Sequence, residues 1–431
     1  MTSEWEELTL GELGRVVTGK TPLTAVDGNF GGQIPFVTPS DMDARKTIST
    51  TSRNLTEAGA KSVKGSKIPA GSVMVSCIGS DMGKAVIAGR DCVTNQQINS
   101  IVVDDRFCSE FIYYNLSTRK DEIRHQAAGG SAQPILNKGD FSRLEITLPP
   151  LPEQRAIASI LVALDDKIEL NRRMNATLEG MARALFQSWF VDFDPVRAKL
   201  DVMSPSPQPS PIGRGRSEAG GEGLIGMDAE TAALFPAEFE ESTLGPIPTG
   251  WEVKPLGEVI ELAYGKPLKA EDRKNGPVCV YGANGPVGWH DEKLVSGPGI
   301  IVGRKGNPGV VTWAHGDFYP IDTTFYVEPI GACRSLYFFY YALSLHSLAN
   351  LSADSAVPGL NRNHAYMSKQ LIPSKPALTA FDSQIAPIFA TIHANEVQSC
   401  TLAALRDTLL PKLLSGELRV EEAEEALGAE R

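Results

Sequence analysis

Near the start of the chain stand Trp5-Glu6, Leu10-Gly11-Glu12 and Gly19-Lys20, and they return as Trp251-Glu252, Leu256-Gly257-Glu258 and Gly265-Lys266. Every pair is offset by 246, with no gap between them. Further on, Ser131-Ala132, Pro134 and Leu136-Asn137 return as Ser355-Ala356, Pro358 and Leu360-Asn361, now offset by 224, as do Pro149 and Pro152 at Pro373 and Pro376. Ungapped matches that include Trp and Gly point to a duplication. The change of offset means that the second copy is 22 residues shorter inside its globular part. A repeat on this scale sets the fold before any local element does.

Each copy reads in two parts. The first is mixed and turn-rich. Residues 72–76, 98–103, 300–302 and 323–327 read as strands, and 111–125 and 335–348 as short helices. The second is a long helix. Leu151-Pro152-Glu153-Gln154 has the form of a helix start, with Pro and an acid in the first turn. Ile157, Ile160/Leu161, Leu164, Ile168, Met174, Leu178, Met181, Leu185 and Trp189 then follow a heptad-like spacing, with Asn171 on the seam. The second copy supplies Phe381, Ile385, Ile388, Ile392, Leu402, Leu409 and Leu413. A helix over 152–190 would run about 58 Å at 1.5 Å per residue. Its apolar stripe needs a partner, and the repeat provides one in the same chain. The expected fold is α+β: two mixed α/β domains joined by two long antiparallel coiled-coil helices, with an internal pseudo-two-fold repeat. The expected boundaries are a first domain at 1–148, a central helix at 149–200, a flexible linker and lead-in at 201–250, a second domain at 251–375, a C-terminal helix at 376–420 and an acidic tail at 421–431. Ser204-Pro205-Ser206-Pro207 and the Gly/Arg-rich stretch after it mark the linker.

The 431 residues carry a net charge of −11, which seen whole disfavours nucleic acid. The distribution reverses that reading. Residues 1–148 hold 16 Lys+Arg against 17 Asp+Glu, and 251–375 hold 12 against 11. The acid excess therefore lies between and after two nearly neutral blocks, each free to present a local basic face. No run approaches the roughly 20 apolar residues of a membrane span, and the opening MTSEWEELTL lacks the features of a signal peptide. A cytoplasmic location is expected. The six cysteines show no CxxC and the six histidines no ligand spacing, so reduced thiols and no metal are expected.

Gly14-Arg15-Val16-Val17-Thr18-Gly19-Lys20-Thr21 satisfies the phosphate-loop pattern letter for letter. Too little chain precedes it for a buried strand, and Pro22 and Asp27-Gly28-Asn29 follow where a helix should begin. In the duplicate, Gly14 becomes Ile260 and Lys266 is followed by Pro267, so the repeat keeps the Gly-Lys turn and not the cradle. A nucleotide-hydrolysing enzyme is thus a poor alternative. No G-x-S-x-G elbow, metal-bearing His pair or Asn/Asp-Pro-Pro-aromatic motif is present. A duplicated chain without catalytic signatures suggests recognition.

Glycine turns ending in cations suit phosphate and base edges. They are Gly79-Ser80-Asp81-Met82-Gly83-Lys84 and its counterpart Gly303-Arg304-Lys305-Gly306-Asn307. Thr94-Asn95-Gln96-Gln97 offers amides for adenine, and Arg304 a fork for guanine. The first-copy candidates for DNA contact are Lys20, Thr38, Ser40, Ser80, Lys84, Asn95, Gln96, Gln97, Gln133 and Asn137. The second-copy candidates are Lys266, Tyr281, Asn284, Arg304, Lys305, Asn307, Thr323, Asn361 and Arg362. Taken singly, each is also readable as a plain polar loop residue.

Longer stretches then decide. They are Ile146-Thr147-Leu148-Pro149-Pro150-Leu151-Pro152-Glu153-Gln154-Arg155, Leu164-Asp165-Asp166-Lys167-Ile168-Glu169-Leu170-Asn171 and Trp189-Phe190-Val191-Asp192-Phe193-Asp194-Pro195. Leu244-Gly245-Pro246-Ile247-Pro248-Thr249-Gly250-Trp251 and Leu405 to Glu417 complete the set. Across nearly its whole length the chain resembles the specificity (S) subunit of type I restriction-modification systems. It departs from that pattern at Ile372-Pro373-Ser374-Lys375-Pro376, which no Glu-Gln follows.

The resemblance implies two target-recognition domains, each reading one half of a split site on double-stranded DNA. It implies a helix pair that sets the spacer by length. It implies no catalysis by this chain and no cofactor bound directly. S-adenosylmethionine, ATP and Mg would act on partner subunits. Those partners would be modification (methyltransferase) subunits, two of them, and restriction subunits reached through them, with no membrane. Candidate docking residues on the helices are Glu153, Gln154, Arg155, Trp189, Phe190, Leu409 and Leu413. Asp165-Asp166-Lys167 reads as a solvated patch of the seam. The alternative class is a coiled-coil adaptor that binds only protein, for which the mixed domains would show no sequence preference.

Overall fold

Strand alternation and helical periodicity both emerge in the computed structural model, which describes residues 5–43, 45–127, 135–203, 227–351 and 359–429. In the first copy, β1 (Glu6–Thr9), β2 (Gly14–Thr18), β3 (Phe30–Val37), β4 (Val73–Ser76), β5 (Ala85–Ala88), β6 (Cys92–Thr94) and β7 (Ile98–Val103) lead to helix α1 (Ser109–Ser117). Strand β8 (Glu145–Leu148) and the long helix α2 (Leu151–Phe190) follow. The main sheet runs β2-β7-β4-β5 and ends on the short strand Thr47–Ile48. β3 and β6 pair in parallel in a second, smaller sheet, while β1 pairs antiparallel with β8.

The second copy repeats this plan. It comprises β9 (Glu252–Pro255), β10 (Ile260–Tyr264), β11 (Val278–Gly282), β12 (Gly299–Gly303), β13 (Val311–Ala314), β14 (Phe318–Pro320) and β15 (Thr324–Pro329). Helix α3 (Leu336–Leu345), strand β16 (Lys369–Ile372) and the long helix α4 (Lys375–Ser415) complete it. Its main sheet runs β10-β15-β12-β13, β11 pairs in parallel with β14, and β9 pairs with β16. The registers agree as well: Glu6 faces Leu148, and Glu252 faces Ile372. Val37 and Thr94 are 57 residues apart, and their counterparts Tyr281 and Pro320 are 39 apart, so most of the shortening falls in this one excursion.

The chain divides into two compact units, residues 1–172 with 396–431 and residues 173–395. In the first, α2 and α4 run antiparallel and Ile157, Leu161 and Leu164 share a core with Leu409, Leu410 and Leu413. There Asn171 is fully buried and donates through Nδ2 to Gln398 Oε1 at 2.9 Å and Ser399 Oγ at 3.2 Å. In the second unit Asn395 Nδ2 donates to Asn175 Oδ1 at 2.8 Å, and Asn175 Nδ2 to the Ile392 carbonyl at 3.2 Å. A buried polar layer of this kind fixes register because a slipped pair would leave the amides unbonded.

Three expectations need correction. Met174 and Met181 do not lie on the seam: they are 38% and 56% exposed. Asn175, Ala182 and Phe186 take the inner positions, because the asparagines must meet their partners and a small Ala admits the aromatic ring beside it. The central helix stops at Phe190 and restarts at Asp194–Met203. Between them Phe193 is left-handed, at φ 55°, and its ring packs against Phe239 and Trp251. Gln187 Nε2 donates to Asp192 Oδ1 and Ser188 Oγ to Asp194 Oδ2, which pins the break. The lead-in is structured too, with a helix at Ala229–Ala233 and a hairpin of Phe239–Ser242 on Gly245–Pro248. Linker residues 204–226 lie outside the described residues. The acidic tail forms a helix at Val420–Ala429, with Ala423 buried in the first core.

Candidate nucleic-acid interface

Backbone hydrogen bonds gather the candidate loops in each copy by itself. In the first, Lys20 N donates to the Thr94 carbonyl, Asn95 N to that of Val37, and Leu136 N to that of Cys77, each at 2.9 Å. In the second, Lys266 N donates to the Pro320 carbonyl at 3.1 Å, and Ile321 N to that of Tyr281 and Leu360 N to that of Arg304, each at 2.9 Å. Ile78 bridges to Ile135, and Lys305 to Gly359. The loops bearing Lys20, Thr38, Ser80, Lys84, Gln96, Gln97 and Asn137 therefore converge, as do those bearing Lys266, Asn284, Arg304, Lys305, Asn307, Thr323, Asn361 and Arg362.

The same bonds explain the repeated Gly-Lys. A Cβ on Gly19 would collide with the carbonyl oxygens of Thr94 and Asn95, and one on Gly265 with those of Pro320 and Ile321. Glycine is required because the crossing chain passes too close for a side chain. The lysine beside it points outward: Lys20 and Lys266 are both exposed. Gly14–Thr18 is an edge strand of the main sheet and no helix begins at Thr21, so the phosphate-loop reading fails on geometry.

Several candidates do other work. Asn95 is 7% exposed and ties the turn through Gln97, accepting from its N–H at 3.1 Å and donating to its Oε1 at 2.9 Å. Tyr281 is 8% exposed and belongs to a core with Ile301 and Phe318. Asn137 and Asn361, matched in the repeat, are both helix N-caps: Oδ1 accepts from Asp140 N in one and from Asn363 N and His364 N in the other. Thr38 with Asp41 forms a capping box, and Ser40 Oγ lies 2.8 Å from Thr38 Oγ1. Lys84 pairs with Asp81 at 2.8 Å, and Thr21 Oγ1 donates to Gln96 Oε1 at 2.6 Å. The carbonyl of Thr323 accepts from the N–H groups of Arg304 and Lys305, and Asn307 Nδ2 donates to Asn284 Oδ1. Gln133 lies outside the described residues.

Of the candidate cations, Lys20, Lys266 and Lys305 are exposed and outside any ion pair among the described residues. Sequence reasoning missed Tyr264, which is 48% exposed. Arg304 and Arg362 place their guanidinium carbons 4.8 and 4.9 Å from its ring centre. The available signal was an aromatic directly before the repeated Gly-Lys, where the first copy has Thr18. Burial pushes the Cys77 thiol up to about 11 and Cys92 up to about 12, which makes neither a nucleophile near neutral pH. No metal-holding cluster of His, Cys, Asp or Glu occurs among the described residues.

A profile of the type I restriction modification DNA specificity domain matches residues 2–180 and again 248–396, so the two matches fall one on each copy. The chain belongs to the type I restriction-modification DNA specificity family. Membership of this specificity family assigns it to recognition rather than catalysis. The chain is 28% identical to the type I restriction enzyme MjaIX specificity subunit of Methanocaldococcus jannaschii, over 97% of this chain and 94% of that one. It is 26% identical to the HindI specificity subunit of Haemophilus influenzae, over 96% of this chain and 100% of that one. Its fold resembles the crystal structure of a type I restriction-modification S subunit from M. genitalium, with a TM-score of 0.58 at 18% identity over 96% of each chain. No described helix of this specificity protein is long and apolar enough to cross a membrane.

The docking candidates on the helices are mostly interior. Trp189 and Phe190 lie in the second core, Leu409 and Leu413 in the first. Gln154 is 2% exposed, accepts from Cys108 N at 3.0 Å and donates to the Pro149 carbonyl at 2.8 Å, which locks the start of α1 to the start of α2. In the second copy Ser335 caps α3 and donates to Asp382, which explains how that copy dispenses with Glu-Gln. Glu153 is half-buried and Arg155 exposed, so of these seven only those two face solvent.

Proposed function

We propose that this chain is the DNA-recognition subunit of a type I restriction-modification complex and reads a bipartite site on double-stranded DNA, one half with each domain. The observation that carries this reading is the pair of equivalent loop clusters, built by matching hydrogen bonds in both copies and carrying exposed lysines at matching positions. Two readers on one continuous helix pair fix the spacer by helix length, so spacing is sensed without base contacts. Exposed apolar side chains on the helices offer docking ground for two modification subunits: Leu170 and Val397 in the first unit, Met174 and Met181 in the second. Restriction subunits join through these. S-adenosylmethionine, ATP and Mg act on the partners, within the cytoplasm.

The test is co-production with the modification subunit of the same system, followed by a map of methylated adenines in the host DNA. A bipartite motif with one fixed spacer is the expected result. Exchange of residues 1–148 for another first domain should change one half only. A soluble complex that methylates no new motif would move the protein to the adaptor class.

A further inference from the structure

We infer that the second domain reads a guanine in its half-site through Arg304, held in reading position by Tyr264, while Arg362 takes the adjacent phosphate. This inference rests on the DNA-recognition reading above. Three observations carry it. Two guanidiniums share one half-exposed phenol ring, each within 5 Å of its centre. Neither forms an ion pair with a carboxylate among the described residues, so two like charges are held together without neutralisation. An electronegative base edge or a phosphate oxygen relieves that repulsion, and DNA presents both side by side.

The third observation concerns which donors remain. Arg304 Nη1 donates to the Asp322 carbonyl at 3.0 Å, and its backbone N–H is fixed on Thr323. The Nε–Nη2 edge makes no hydrogen bond among the described residues. A planar edge with two parallel N–H donors matches guanine O6 and N7, and no other base offers two acceptors there. Arg362 is held more loosely, by one 3.4 Å contact from Nη1 to the Leu262 carbonyl, which suits the less directional demand of a phosphate. Among the described residues, the first copy stacks only one guanidinium on a ring of its recognition domain's second sheet, Arg53 over Phe30 at 4.1 Å, and none at the position equivalent to Tyr264. The position facing Asn99 is Thr18, and Thr18 Oγ1 donates to Asn99 Oδ1 at 2.6 Å. The effect of these residues is therefore confined to one half-site.

The experiment maps adenine methylation by the complete complex carrying Arg304→Lys, Tyr264→Ala, Tyr264→Phe or Arg362→Gln. Lysine keeps the charge and loses the fork. Arg304→Lys should relax one G·C position of one half-site by about tenfold or more and leave the other half unchanged. Tyr264→Ala should relax the same position, and Tyr264→Phe, which keeps the ring, should restore it. Arg362→Gln should leave the motif intact and lower the slope of log affinity against log salt by about one. An unchanged motif in Arg304→Lys, or relaxation in both halves, overturns the assignment. Absence of any motif from the unmodified complex overturns the DNA-recognition reading itself, which separates the two failures.

Discussion

The two copies meet the long helices through the same backbone and opposite chemistry. In the first unit Tyr114 Oη donates to Asp165 Oδ2 and Arg406 Nη1 to Asp165 Oδ1, both at 2.6 Å, and Arg406 also pairs with Asp407. In the second unit the equivalent positions hold Tyr341, Phe389 and Ala182, all buried. Around them Phe186, Phe190, Phe338 and Phe381 pack with ring centres 5.0–6.1 Å apart, Phe186–Phe338 tilted and Phe186–Phe381, Phe190–Phe338 and Phe190–Phe381 edge to face. A polar clamp and an aromatic plug therefore solve one packing problem. The backbone plan demands only that the space be filled and every polar group bonded. Asp165 is thus a clamp residue with an 11% exposed side chain, not a solvated one, because its neighbour in space is an arginine from a helix 241 positions away.

The contrast can be broken most forcefully in the plug. Phe381→Ala removes a fully buried ring and should cost about 4 kcal/mol. Hydrogen exchange should show the loss in the second unit, and equal deprotection of both units would contradict the division. In the clamp, Asp165→Ala leaves Tyr114 Oη and Arg406 Nη1 without their acceptor, although Arg406 keeps Asp407, and should cost about 2 kcal/mol. Replacing the clamp by the plug, with Asp165→Phe and Arg406→Ala together, should recover part of that loss. A double variant worse than the single one would mean the two junctions are not interchangeable.

Acid should separate the units in a third way. Burial, helped by the stacked His393 ring 4.9 Å away, lowers the His315 pKa to about 4. Between pH 6.5 and about 4 the unfolded chain takes up a proton that the folded imidazole refuses, so this contribution to stability falls as pH falls. His315→Leu should flatten the acid response of the second unit, and an unaltered profile would show that other groups set it. The smallest effect is Tyr114→Phe, about 1 kcal/mol in the first unit, read from its chemical-denaturation midpoint.

Much of the architecture was legible because duplication and seam are patterns along the chain. The repeated Gly-Lys, the paired Pro residues and the helix starts all survive as spacings. The site was legible only as a set of loops. Asn137 and Asn361 matched so well because both cap helices, a local demand that mimics a functional one. Trp189 and Phe190, prominent in the sequence, are prominent as core.

The amino-acid sequence alone determined the two-copy plan, the long helices and the family, since periodicity and repetition need no knowledge of contacts. Tertiary structure alone decided which loop residues face outward, why Tyr281 and Asn95 do not, and that Tyr264 gathers Arg304 and Arg362. Strand register, fixed by backbone hydrogen bonds across the sheet, brings residues 40 to 100 positions apart into contact, and no local pattern encodes the side chains that meet there.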